Sequence, residues 1–160
     1  MKKHEYGVTV SFDEIPDLVG VEVVSPYRQI DHGLRRKFDE ATLLTELEPV
    51  GNPDELYPDD LLEGFHLLGL LDFFVAKYID MDRAEIYGWN YGLNRVRFVS
   101  TMHSSRPLRF RATVTRVEKK GDGYLVYMDC LLEHEGADRP GMIAEWIVYQ
   151  VPIERIESKP

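Results

Sequence analysis

The chain has 160 residues, of which 44% are apolar and 29% charged, with a formal net charge of −9. These values predict one domain, spanning 1–160, with a core large enough to need no covalent staples. The acidic balance, with no basic stripe interleaved with aromatics, excludes nucleic acid as a partner, because such a surface repels phosphates.

The opening stretch MKKHEYGVTVSFDEIP has no apolar run behind its basic residues, so no secretory leader is expected and His4 falls in a tail. Ser11-Phe12-Asp13-Glu14 opens a short helix, and VEVVSP (21–26) reads as a strand halted by its proline. Asp31 is placed to cap a helix running to about Leu44, with Leu34, Phe38, Ala41 and Leu44 on one face. The stretch 48–60 holds Pro49, Pro53, Pro58, Gly51 and Asn52 and is a loop by its chemistry.

The segment LLEGFHLLGLLDFFVAKYI (61–79) is apolar at nearly every position, with Glu63, His66 and Asp72 as interruptions. It is too interrupted and too short to span a bilayer, so no membrane partner is expected. A helix apolar on all sides must be buried on all sides, and only a curved sheet or a partner subunit can enclose it here.

The sheet follows in sequence. Leu108, Phe110, Ala112 and Val114 alternate with Arg109, Arg111, Thr113 and Thr115, the period of a strand with one buried face. A Gly121-Asp122-Gly123 turn leads to a second strand in which Tyr124, Val126, Met128, Cys130 and Leu132 share a face, and residues 142–151 form a last one. Short turns between neighbours imply antiparallel pairing. Cys130 is the one cysteine, which rules out an internal disulfide and a cysteine metal cluster and suits a reducing cytoplasm. No His/Cys/Asp set has ligand spacing, so neither a metal nor a redox cofactor is expected. Arg95, Arg97, Arg106, Arg109, Arg111 and Arg116 gather in the second half and read first as solvated strand faces.

A helix apolar all round beside a long antiparallel sheet gives an α+β class and a hot-dog arrangement. Its free strand edges favour a dimer, either with itself or with a relative. NYGLNRVRF (90–98) resembles a stretch of the MaoC-like dehydratases and (R)-specific enoyl-CoA hydratases. QIDHGLRRKFDEAT (29–42), LEGFHLLGLL (62–71), PLRFRATVTRVEKKGDGYLV (107–126) and MIAEWIVY (142–149) follow in the family's order. The resemblance implies addition of water to a trans-2-enoyl thioester of coenzyme A or acyl carrier protein, coenzyme A entering as part of the substrate. It also implies that an Asp and a His activate the water while a backbone N–H at the start of the buried helix holds the thioester oxygen. By position Gly64 matches the family's oxyanion glycine, with Phe65 beside it. Helix N-termini offer free donors and a positive dipole end, which suits an oxygen gaining charge.

The dyad is where the match breaks. Leu44 stands where the Asp belongs and Pro49 where the His belongs. Three functions therefore stay open. A hydratase with a relocated acid–base set would draw on Glu46 or Glu48 with His66 or His103, though a buried histidine more often serves packing. A thioesterase would use Asp72, eight residues beyond Gly64, at a spacing similar to that of PaaI-type enzymes. A subunit without the dyad would bind the acyl thioester or complete a partner's pocket. Asn90 and Tyr91 are expected to line the substrate site, with Tyr57, Phe73, Phe74 and Trp89 as further aromatic candidates.

Overall fold

The computed structural model of the chain describes residues 1–47, 58 and 60–154. The amino-terminal elements are β1 (Lys2–His4), β2 (Gly7–Val10), a 3-10 helix (Phe12–Leu18), β3 (Glu22–Val24), α1 (His32–Ala41) and a 3-10 turn (Leu44–Glu46). There follow α2 (Gly64–Tyr78), β4 (Ile79–Met81), β5 (Ile86–Phe98), β6 (Leu108–Lys120), β7 (Gly123–His134) and β8 (Met142–Pro152).

The strands predicted from alternation form one antiparallel sheet in the order β3-β6-β7-β8-β5. Leu108, Phe110, Ala112 and Val114 are all fully buried, as are Val126, Met128, Cys130 and Leu132 of β7. The opposite face of β6 is polar, with Arg109 and Arg111 paired to Glu133 and Glu22. Register shifts between Asn90 and Gly92, between Asn94 and Arg97, and between Val114 and Arg116 bend the sheet. That bend gives the concave side on which α2 lies.

The helix runs over Gly64–Tyr78, inside the predicted segment, because Ile79 turns directly into β4. Its buried residues are His66, Leu67, Leu71, Phe74, Val75 and Tyr78. Phe74 stacks on Phe110 of the sheet, centroids 5.3 Å apart. Burial on all sides is not achieved within one chain: Phe65, Gly69, Asp72, Phe73, Ala76 and Lys77 are exposed. One sheet has one concave face and covers half a cylinder.

The start of the chain departs from the expected tail. GVTV, only four residues long, is β2; it pairs antiparallel with β1, which contains His4, and parallel with β4. So short an alternation carries little signal, and its pairing depends on a strand formed at the far end of α2. Ser11 caps the 3-10 helix in a capping box with Glu14, and the Asp31 side chain accepts from Gly33 N–H at 2.6 Å to start α1. That helix stops at Ala41, short of the predicted Leu44, because Leu43 takes a left-handed conformation (φ 63°) that ends it.

β5 has 13 residues and is an edge, with β8 on one side and no partner on the other among the described residues. Phe74→Ala should cost about 3–5 kcal/mol of unfolding free energy in a denaturant titration, the usual loss for an aromatic removed from a closed core. Phe65→Ser, at a site 77% exposed, should leave the unfolding of the isolated protomer nearly unchanged.

Candidate functional site

Two clefts flank α2 on the side of β5. The first, of about 440 Å³, lies at the amino end of the helix and is lined by residues 61–64, Leu67 and residues 98–102. Leu62 N–H donates to the Met102 carbonyl (2.8 Å), which fixes the entry to the helix against the segment after β5. Leu67 N–H is the first to reach back along the helix, to the Glu63 carbonyl at 2.9 Å. The N–H groups of Gly64, Phe65 and His66 precede it, in the turn where an α-helix has no internal acceptor to offer. Gly64 therefore brings free backbone donors to a cleft wall. It also has a packing role: a Cβ there would sit 2.7 Å from Cζ of Phe98.

Glu63 is the N-cap residue of α2, and its side chain makes no capping bond. Glu63 lines the same cleft, next to Gly64. Sequence reasoning passed over it, although its place directly before the glycine in LEGFH is visible in the chain.

The second cleft, of about 350 Å³, lies between the carboxyl half of α2 and the start of β5. It brings Asp72 together with Asn90, beside Trp146 of β8. Asp72 is exposed, and it pairs with neither Lys77 nor Arg95 among the described residues. Arg95 instead bridges Asp129 and Glu145 at 3.0 Å each on the outer face of the sheet. Arg109, Arg111 and Arg116 are likewise paired with carboxylates, so these arginines form neutralised pairs and not a basic patch.

The other predicted residues are dispersed. Tyr91 lies on the outer face, against the Tyr149 ring and the Lys120 ammonium. Phe65 points away from the sheet, and Glu46 is exposed in the short turn after α1, lining neither cleft. Leu44, the residue in place of the family's Asp, is in that same turn; Pro49, Glu48 and Tyr57 lie outside the described residues. His66 is a core side chain, stacked on Phe38 of α1 with ring centroids 4.9 Å apart and planes at 8°. Burial pushes its pKa below the ordinary value, against a weaker opposing pull from Asp39, and its Nδ1 has no hydrogen-bond partner. Burial pushes the Cys130 thiol up to about 12, which leaves it protonated and unreactive.

His103 is placed differently. Its segment, residues 102–104, pairs with residues 60–62 just before α2. There its Nδ1 meets Oδ1 of Asp60 at 2.9 Å, a contact in which the ring must donate because the carboxylate can only accept. Asp60 was not singled out from the sequence, where it is one acid among many beside a proline-rich loop.

No protein-family model matches the chain. It is 27% identical over 147 residues to Nodulation protein N of Rhizobium leguminosarum bv. viciae, covering 86% of this chain and 89% of that one. Among solved structures it is similar to a monoamine oxidase regulatory protein from Archaeoglobus, with a TM-score of 0.66 and 13% identity over 92% of this chain and 98% of that one. A MaoC-like dehydratase from Rhodospirillum rubrum superposes with a TM-score of 0.61 at 12% identity, covering 84% and 92% of the two chains. An (R)-hydratase from A. caviae involved in PHA biosynthesis gives 0.59 at 11%, covering 81% and 94%. The fold is the hot dog. At these identities the likeness is one of fold, and at that level the MaoC-like resemblance carried by residues 90–98 and their neighbours is borne out.

The depressed His66 has a stability consequence. A histidine whose folded pKa lies below its unfolded value of about 6.5 gives stability that is present above that pH and lost as pH falls through the folded value. His134, also lowered by burial, acts in the same direction. Unfolding free energy measured from pH 8 to pH 4 should therefore fall below about pH 6.5, and His66→Leu should flatten part of that fall. An unchanged profile would show that His66 is not held neutral by the fold.

Proposed function

We propose that this protein binds an acyl thioester with its carbonyl oxygen at the amino end of α2, and that the chemistry it suits is hydration of an enoyl thioester or the reverse dehydration. The observation that supports this most is the cleft where the free N–H groups of the first helical turn meet Gly64, in a fold shared with a dehydratase and an (R)-hydratase. As water adds to C3 of an enoyl thioester, the π electrons move toward the thioester oxygen. Donors already fixed at the helix end stabilise that charge without reorganising, and the helix dipole has the matching sign. The acyl chain would run along the apolar wall of Leu61, Leu62, Leu67 and Met102. The reaction draws on no metal or redox cofactor, coenzyme A or acyl carrier protein coming with the substrate.

A second reading is favoured by the other cleft. Asp72 and Asn90 face the same space between α2 and β5, with Arg83 at its rim, an arrangement in which a carboxylate could direct water at a thioester carbonyl. A third, binding without turnover, needs only the first cleft. In all three the exposed half of α2 and the free edge of β5 are covered by a second copy or a relative, since large apolar side chains there otherwise face water. The single thiol fits the cytoplasm as the site of action.

Purified protein given crotonyl-CoA and saturated butyryl-CoA separates these readings: loss of enoyl absorbance marks hydration, thiol release from butyryl-CoA marks thioester hydrolysis, and binding alone marks the third. For hydration, Gly64→Ala and Gly64→Pro place the same carbon against Phe98, but only proline removes the N–H. Gly64→Pro should lose at least about 100-fold more kcat/KM than Gly64→Ala, the scale of a lost oxyanion donor. Equal losses would assign the defect to Phe98 and remove the donor role.

A further inference from the structure

We propose that the cleft between the carboxyl half of α2 and the start of β5 is a binding site for an uncharged aliphatic molecule carrying an amide or hydroxyl group, recognised by the side chain of Gln150. It stands independently of the thioester readings. On β8 the inward positions run Met142, Ala144, Trp146, Val148 and Gln150, and the first four belong to the buried apolar core. Alternation asks for a fifth apolar side chain, and a glutamine only 6% exposed stands there instead. Its Oε1 is sealed from solvent and has no hydrogen-bond partner. A buried amide left unpaired costs stability, so a polar residue kept at such a position calls for a use beyond packing. The residue opposite it on β5 is Gly88. A Cβ at Gly88 would lie 2.2 Å from Gln150 Oε1 and 2.7 Å from its Cδ, so the amide occupies space that any other residue would fill. Both residues line the cleft.

The walls define the ligand. The cleft holds about 350 Å³, at the small end of the range for small-molecule pockets, roughly 300–1,000 Å³. Val75, Ile79, Ile86, Trp146 and Val148 are buried and make its walls apolar, which suits an aliphatic chain. Its charged residues, Asp72, Asp80 and Arg83, are exposed or half-buried, whereas the buried polar group is neutral. A ligand charge carried to that depth would lose its water and meet only a neutral amide. An amide or hydroxyl fits better, because each can both donate and accept. The Gln150 amide can answer with its oxygen or its NH2 by turning about its last bond.

Both tryptophans of the chain, Trp89 and Trp146, line the cleft, so their fluorescence reports its occupancy. With the full chain near neutral pH, octanamide and 1-octanol should each give a saturable change. Octanoate, of the same length but ionised, should bind at least about tenfold more weakly than octanamide. Gln150→Leu removes the amide and keeps the position filled. Octanamide affinity should then fall at least about tenfold, a loss of about 1.4 kcal/mol and the scale of one hydrogen bond. Gly88→Ala, whose methyl displaces the amide, should weaken octanamide in the same direction, and it carries the test should Gln150→Leu not fold. Wild-type protein with no saturable change overturns the proposal, as does octanoate bound as tightly as octanamide. Octanamide affinity that stays within about tenfold of wild type in a folded Gln150→Leu, or is unmoved in Gly88→Ala, overturns it too.

Discussion

The packing of one apolar helix against one bent sheet governs the rest of this structure. Leu67, Leu71, Phe74 and Val75 meet the inward faces of β6, β7 and β8, and the ring pair of Phe74 and Phe110 marks the centre of that contact. A sheet has a single concave face, so it can cover only half of a helix that the sequence makes apolar nearly all round. The uncovered half is a consequence of that geometry and not a defect of packing. It leaves Phe65 and Phe73 facing water beside a 13-residue edge strand, which is the physical reason to expect a second subunit.

The same packing frames the cleft at the amino end of α2. Because α2 is fixed by its middle and carboxyl half, its amino end is free to face a cleft. The chain entering it is secured by backbone bonds between residues 60–62 and 102–104, which spares the first-turn N–H groups from that duty. One short ladder thus aims the helix. Meanwhile Arg95, Arg109, Arg111 and Arg116 are engaged by carboxylates on the far side of the sheet.

Much of the fold was legible because it follows from periodicity. Alternation named the buried side chains of β6 and, from Val126 to Leu132, one buried face of β7, but not Leu125 and Tyr127, which are buried on the other face, and Asp31 marked the start of α1. The short strands β1 and β2 were not legible: three or four residues of alternation carry little signal, and β4, which pairs with β2, is distant in sequence. The site divided in the same way. Gly64, Asp72 and Asn90 line clefts, whereas Tyr91, the next residue along β5 from Asn90, falls on the far face against Tyr149 and Lys120. The partner of His103, Asp60, is 43 positions away, a pairing that only the 60–62 and 102–104 ladder creates.

The central claim is that the amino end of α2 polarises a thioester carbonyl, and the carbonyl can be observed directly. Infrared difference spectra of butyryl-CoA carrying 13C at the thioester carbon, bound to the protein, report the strength of hydrogen bonding to that oxygen. The account predicts a bound carbonyl stretch at lower frequency than in water, returning toward the free value in Gly64→Pro. A bound ester whose stretch matches the free one, or one that is unmoved by that substitution, would contradict it.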